Sequence, residues 1–210
     1  MNEHTVNGGT DARARSPRRR PRAGTGRQAR RPGVAAGLIA AAGLATQGLP
    51  ASATTGTATV SAGSLAFVSS PPSVSFSATL NGLDQTITST EAIDVSDATG
   101  SGTGWNVTAT STTFTAGAKT LSTAATTLSA TPTDACDASA TCTVATNSIT
   151  YPYTLPAATT APTATKVFDA AASSGMGNQT VTPSWKLSIP ANTLVGTYTS
   201  TWTISLVSGP

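Results

Sequence analysis

Apolar and hydroxylated residues alternate in two segments of the chain. In residues 73–80 every second position is apolar, from Val74 to Leu80, and every position between them is Ser or Thr. Residues 197–206 alternate in the same way except at Ser200, with Trp202 in the middle of the otherwise apolar face. A period of two residues is the repeat of a β-strand that buries one face. Each segment is therefore predicted to be a half-buried strand.

Shorter runs of the same kind predict further strands elsewhere in the chain. Gly, Pro, Asn and Asp separate these runs, as turn residues do. The runs cover residues 65–68, 85–90, 93–95, 105–110, 143–149 and 185–189. One-sided strands must bury their apolar face against another sheet. The sequence therefore predicts an all-β fold, a single antiparallel β-sandwich domain.

Three segments depart from the alternation. Residues 169–174 are the one candidate for a helix, and they are too few to change the fold class. Residues 115–135 and 154–166 are rich in Thr, Ala and Pro. These two segments are predicted to be long loops or irregular edge strands.

The first 53 residues differ in composition from the rest and are predicted to be a signal peptide. Nine Arg and no Lys precede residue 32, and an apolar run at residues 34–49 follows directly. The run leads to Ala51-Ser52-Ala53, a small-residue sequence of the kind that signal peptidase accepts. Because the run is shorter than the ~20 residues that span a bilayer, we expect cleavage after Ala53. A retained membrane anchor is the alternative.

Removal of residues 1–53 would reverse the charge of the protein. The whole chain carries a net charge of +3, but residues 54–210 hold only three Lys against seven acidic residues. Every Arg lies in the predicted signal peptide. The mature domain, residues 54–210, is therefore expected to bind no nucleic acid and to contain no membrane span. Its composition, rich in Ser and Thr and poor in charge, is typical of a secreted β protein.

Cys136 and Cys142 are predicted to form a disulfide, because an exported protein meets an oxidising environment and the two residues are close in sequence. Free thiols are the alternative. Residues 54–210 contain no His and no further Cys that would complete a metal site, so no metal and no cofactor are expected. The same residues contain no Arg and one Glu, Glu91. A catalytic constellation is therefore not expected, and the protein is predicted not to be an enzyme.

Two segments centred on Trp are the candidates for binding. Trp105 and Asn106 follow a glycine-rich stretch, and Trp185 and Lys186 lie nearer the C-terminus. An exposed Trp can stack on the C–H groups of a sugar while polar neighbours bind its hydroxyls. The aliphatic residue two positions after each Trp favours core packing instead, and both interpretations stay open. Trp202 is predicted to belong to the core.

The same segments resemble the motifs of the WxL domain. The stretch from Val95 to Trp105, VSDATGSGTGW, is similar to the first motif, although Val107 stands where Leu is usual and the loop bounded by cysteines is additional. Five short segments resemble motifs in the C-terminal half of the WxL domain: GMG at 175–177, WKL at 185–187, IPA at 189–191, GTY at 196–198 and SGP at 208–210.

The resemblance covers residues 60–210 and implies a β-rich domain that attaches noncovalently to the Gram-positive cell wall. It implies peptidoglycan as the ligand, and other surface proteins as partners. The prediction is therefore a secreted, non-enzymatic cell-surface protein that binds cell-wall glycan. The alternative is a structural subunit, pilin-like or from a surface layer, that self-assembles through its strand edges without binding glycan.

Overall fold

The computed structural model describes residues 51–210, and Gly56–Pro210 forms one compact unit. Residues 1–50, most of the predicted signal peptide, lie outside the described residues. Every regular element from residue 51 onwards is a strand. The strands are β1 (Leu65–Phe67), β2 (Gln85–Thr90), β3 (Ile93–Asp97), β4 (Trp105–Thr112), β5 (Thr115–Ala116), β6 (Lys119–Thr120), β7 (Thr126–Leu128), β8 (Thr133–Cys136), β9 (Tyr153–Thr154), β10 (Ala157–Ala158), β11 (Thr165–Ala170), β12 (Gly177–Thr182), β13 (Ser184–Ile189) and β14 (Trp202–Ser208).

The strands form three larger sheets and one small hairpin. Sheet I has the order β1-β3-β12-β8, and sheet II has the order β2-β13-β7-β9. In sheet III, β4 pairs with β14 along one edge and with β11 and β10 along the other. β5 and β6 form the hairpin. The strand pairs are antiparallel except for β10 with β4.

All three larger sheets contribute side chains to one hydrophobic core. Sheet I supplies Ile93, Val95 and Val181, and sheet II supplies Leu128 and Trp185. Sheet III supplies the largest share: Trp105, Val107, Ala109, Val167, Phe168 and Ala170. The prediction of an all-β fold built of antiparallel sheets is confirmed; the strands are divided among three larger sheets rather than two. Along residues 51–210 the structure has no helix with the length and apolar character that a membrane crossing requires.

β4 is the central strand of sheet III. It is paired on both edges, and six of its eight residues are buried, so side chains on both of its faces lie inside the protein. The register places Trp105 opposite Ala170 of β11 and Ser208 of β14. The first Trp-centred segment is thereby joined to the C-terminal residues.

The prediction of a strand at residues 73–80 is wrong. Val74 and Phe76 are partly buried against the hydrophobic core, as their face of the pattern requires, but Leu80 is 41% exposed and the backbone pairs with no strand. The alternation indicates which side chains can turn inward. It does not supply the neighbouring backbone that a strand needs.

The prediction of a strand at residues 143–149 is also wrong beyond its first residue. Thr143 forms a single bridge with Met176. The following backbone N–H groups donate to side chains instead: Ala145 to Asp134, Thr146 to Ser174 and Ser148 to Asp169. These acceptors satisfy the backbone of residues 143–149 without a second strand.

The helix candidate at residues 169–174 does not form a helix, because pairing with β4 overrides the helix propensity of its alanines. Asp169 and Ala170 complete β11, and residues 171–174 form a turn closed by a hydrogen bond from the Ser174 N–H to the Ala171 carbonyl. Residues 115–135 contain β5 to β8, and β7 lies between β13 and β9 inside sheet II rather than at an edge.

Candidate functional site

The first motif is organised around the indole of Trp105, which has no exposed surface. Its N–H donates to the carbonyl oxygen of Gly175 at 2.8 Å. Its ring packs against Phe168, with 5.8 Å between the ring centroids. A buried indole needs an acceptor for its single donor, and the turn at residues 171–175 provides it.

Two glycines allow the backbone to approach this indole closely. Gly104 and Gly175 both have positive φ, +78° and +73°, which side chains of L-residues rarely tolerate. A Cβ on Gly175 would lie 2.6 Å from the indole nitrogen of Trp105, and a Cβ on Gly104 would overlap the Ala170 carbonyl oxygen. The glycine-rich approach and the GMG segment therefore meet at one tryptophan.

Asn106 fastens the C-terminal segment to the same motif. It is 4% exposed, and its side-chain amide donates to the Gly209 carbonyl at 2.6 Å. The N–H of Gly209 donates in turn to the Gly104 carbonyl at 2.9 Å. The hydrogen bonds thus tie SGP at 208–210 to GTGW at 102–105.

The second motif contains a buried tryptophan and a buried carboxyl group. Trp185 has no exposed surface, and its indole N–H donates to Oε2 of Glu91 at 2.9 Å. Glu91 is only 2% exposed, and its Oε1 has no hydrogen-bond partner within the described part of the chain. Burial raises the pKa of the Glu91 carboxyl group, and the hydrogen bond from Trp185 offsets part of that rise.

Lys186 is the only one of the four predicted binding residues that is not buried. It lies on the opposite face of β13 from Trp185, between Thr88 of β2 and Thr127 of β7. The structure therefore does not bring the four residues together on one surface. The sequence allowed two roles for Trp105 and Trp185, core packing and ligand contact. In this structure both indoles pack in the core.

Trp202 was predicted to belong to the core, and it is only partly buried. It packs edge-to-face on Trp185, with centroids 4.9 Å apart and planes at 84°. It also packs edge-to-face on Phe114, with 6.5 Å between the ring centroids. Its remaining surface lines an open groove of about 540 Å³. Of the three tryptophans of the described chain, Trp202 is the one that a ligand can reach.

The groove combines aromatic, hydroxylated and acidic side chains. Phe114, Tyr198 and Trp202 supply aromatic surface, and Glu91 also lines it. Prolines and hydroxylated residues complete the lining, among them Pro71, Pro72, Ser73, Thr199 and Thr203. Tyr198 also borders a second groove of about 480 Å³, which the β5–β6 hairpin and residues 190–194 line. We call the first of these the Trp202 groove.

Comparison with known proteins identifies the family. The family model of the WxL domain, described as a surface cell wall-binding domain, matches residues 47–210. The chain belongs to the WxL family. Neither the curated proteins nor the solved structures give a significant match. The WxL family is a family of binding domains, and the motifs by which the sequence resembled it are those that surround Trp105 and Trp185.

The predicted disulfide is present in this WxL domain, where Cys136 is bonded to Cys142. The bond closes a loop at the end of β8. Gly177 of the GMG segment packs against this loop, since a Cβ there would lie 3.0 Å from the Cβ of Cys142. Within residues 51–210 no three His, Cys, Asp or Glu side chains are grouped as a metal site would require.

Sequence reasoning missed the Trp202 groove. Glu91 entered only as the single glutamate of residues 54–210. Phe114 belonged to no motif, and Tyr198 entered only through the GTY segment at 196–198. The groove is assembled from residues 71–74, 91, 114 and 198–204, which no local pattern connects. The one available signal was a lone Glu two residues before the strand that begins at residue 93, where an acidic residue in a sparsely charged chain is unusual.

Proposed function

We propose that this WxL domain is exported and attaches noncovalently to peptidoglycan at the cell surface. The observation that carries the proposal is the match of a surface cell wall-binding family to residues 47–210. The arginine-rich start, the apolar run at 34–49 and the small residues at 51–53 support export through a cleaved signal peptide. Other surface proteins are proposed as partners at the wall.

The surface chemistry supports a hydroxylated ligand of low charge. Residues 54–210 have only three Lys, and two of them donate to backbone carbonyls, Lys119 to Val195 and Lys166 to Pro210. Many hydroxylated side chains point outward from the strands. A glycan offers hydroxyl and amide groups to such a surface and C–H faces to aromatic rings.

The motif residues receive different roles in this proposal. Trp105, Asn106 and Trp185 are buried, so we assign them to holding the loops and the partly exposed Trp202 in place. Lys186 lies among Thr side chains on the outer face of sheet II and is proposed to contact the wall directly.

The proposal is tested by sedimenting the purified protein with cell walls freed of proteins and of teichoic acids. We expect the protein to pellet with these walls and to remain in solution without them. Pelleting only with walls that retain teichoic acids would identify an anionic polymer as the ligand instead. Large assemblies in size-exclusion chromatography, without walls, would favour the self-assembling subunit.

Export is tested by N-terminal sequencing of protein recovered from the cell surface. Cleavage after Ala53 gives a chain that begins at Thr54. An uncut chain in the membrane fraction would contradict the proposed export route.

A further inference from the structure

We propose that the Trp202 groove is a sugar-binding subsite, in which a pyranose ring of a glycan strand packs on Trp202 and donates a hydrogen bond to Glu91. The inference rests on the proposed binding of peptidoglycan. It adds the residues that contact the ligand and the part of the ligand that they recognise, the glycan strand rather than its peptides.

The aromatic side chains of the groove are held in fixed orientations. Trp202 meets Trp185 and Phe114 edge-to-face, and Phe114 meets Phe76 in the same way, with centroids 6.1 Å apart. The hydroxyl of Tyr198 donates to the Leu194 carbonyl at 2.8 Å. Rings that are already ordered lose little conformational entropy when a ligand binds. A partly exposed and rigid indole is suited to the C–H face of a sugar.

Glu91 supplies a hydrogen-bond acceptor that would fix the orientation of a bound sugar in the groove. One of its oxygens is occupied by Trp185, and the other, Oε1, has no partner within residues 51–210 although the side chain is 2% exposed. A buried carboxylate oxygen without a donor is costly. A hydroxyl or acetamido N–H of a bound sugar would satisfy it.

The rim of the groove offers further hydrogen-bonding groups. Ser73 and Thr199 line it and are exposed, and in this proposal their hydroxyls bind a second sugar hydroxyl. Ser200 is not available in the same way, because its hydroxyl donates to the Thr112 carbonyl. An aromatic wall, a hydroxylated rim and one acidic acceptor together match a polyhydroxylated ring.

Two substitutions separate binding from folding. Glu91→Gln keeps an amide oxygen as acceptor for Trp185 but presents an NH₂ donor where the sugar donates. Thr203→Glu adds a charged side chain at an exposed position of β14, where that strand borders the groove. Val207→Glu is the matched control, because Val207 is 43% exposed on the same strand and lies outside the groove.

The full chain and its variants are titrated with glycan strands prepared from cell walls and freed of stem peptides, and separately with the free stem peptides. Tryptophan fluorescence reports binding, and each variant is also sedimented with intact walls at high salt, which screens the arginines of residues 1–53. We expect Glu91→Gln and Thr203→Glu to weaken glycan binding roughly 10-fold or more. Val207→Glu should bind glycan strands as the wild type does, and each variant should remain folded at the temperature of the titration.

The outcomes distinguish the inference from the function on which it rests. Normal glycan binding by folded Glu91→Gln and Thr203→Glu proteins would overturn the subsite while leaving wall binding intact. Binding of stem peptides but not of glycan strands would overturn the assignment of the ligand. A wild-type protein that does not sediment with walls would remove the proposed function and the subsite together. If one variant fails to fold, the other decides.

Discussion

Each buried tryptophan of this domain has an acceptor for its indole N–H. Trp105 uses the backbone carbonyl of Gly175, and Trp185 uses the carboxyl group of Glu91. A backbone carbonyl costs nothing further to bury, because it is already part of a turn. A carboxyl group brings a second oxygen into the interior, and that oxygen needs its own partner. The two motifs are therefore alike in sequence and different in chemistry.

The close approach of Gly175 to Trp105 gives a first prediction. Gly175→Ala should destabilise the domain more than Gly117→Ala. Both residues have positive φ, +73° and +64°, so each alanine incurs a backbone cost of about 1–2 kcal/mol. Only at residue 175 does the new Cβ meet the indole, at 2.6 Å, which should add about 1–3 kcal/mol. Chemical denaturation of both variants measures the difference, and equal losses would contradict this packing.

A second prediction follows from the raised pKa of the Glu91 carboxyl group. Because that pKa is higher in the folded than in the unfolded chain, the folded state binds more protons between the two values. The contribution of Glu91 to the free energy of unfolding therefore falls as the pH rises from 4.5, the ordinary glutamate value, through the folded pKa.

Glu91→Gln isolates this contribution, since burial also raises the pKa of Asp94 and Asp134 in both proteins. Unfolding should be measured in parallel for the two proteins across the acidic range. Wild-type stability should decline relative to the variant as the pH rises. A difference that is independent of pH would show that Glu91 titrates as it does in the unfolded chain.

Strands and irregular segments of this domain are stabilised in different ways. β4 obtains its backbone partners from β14, β11 and β10. Residues 143–149 obtain theirs largely from side chains, and Asp169 alone accepts from both the N–H and the hydroxyl of Ser148, each at 2.6 Å. An alternating pattern is compatible with either arrangement, because it records which side chains turn inward and not what the backbone binds.

The disulfide is predicted to stabilise its own loop far more than the fold. It joins Cys136 and Cys142, six residues apart at the end of β8. Closing so short a loop removes little entropy from the unfolded chain, so double replacement by Ser should cost at most about 2–3 kcal/mol. Thermal unfolding and sedimentation with walls check this expectation. Loss of folding in the double variant would mean that β8 depends on the bond.

At the scale of the whole molecule, charge separates the two parts of the chain. All nine Arg lie before residue 32, and residues 54–210 are acidic on balance. Wall binding by protein cleaved after Ala53 should therefore depend little on salt, because a groove of aromatic and hydroxylated side chains releases few counterions. Sedimentation across a salt series measures this. A steep loss between low and physiological salt would indicate an anionic partner instead.

Much of the architecture could be predicted because it is local. Period-two alternation identified the β class, and short runs located β2, β3, β4 and β13 within a few residues. The family could be predicted because its motifs are glycines and tryptophans at fixed spacings, which the structure explains as the close packing of GTGW and GMG around one indole.

Tertiary structure alone decided which tryptophan is accessible. Trp105, Trp185 and Trp202 all lie on alternating strands, so their sequence context is equivalent. Their exposure depends on what covers each strand. The turn at 171–175 closes over Trp105, and Trp185 is enclosed by Glu91 and Trp202, while Trp202 keeps one side open to a groove formed by distant residues. Whether a side chain is buried depends on which distant residues pack over its strand, and the sequence of that strand alone does not specify them.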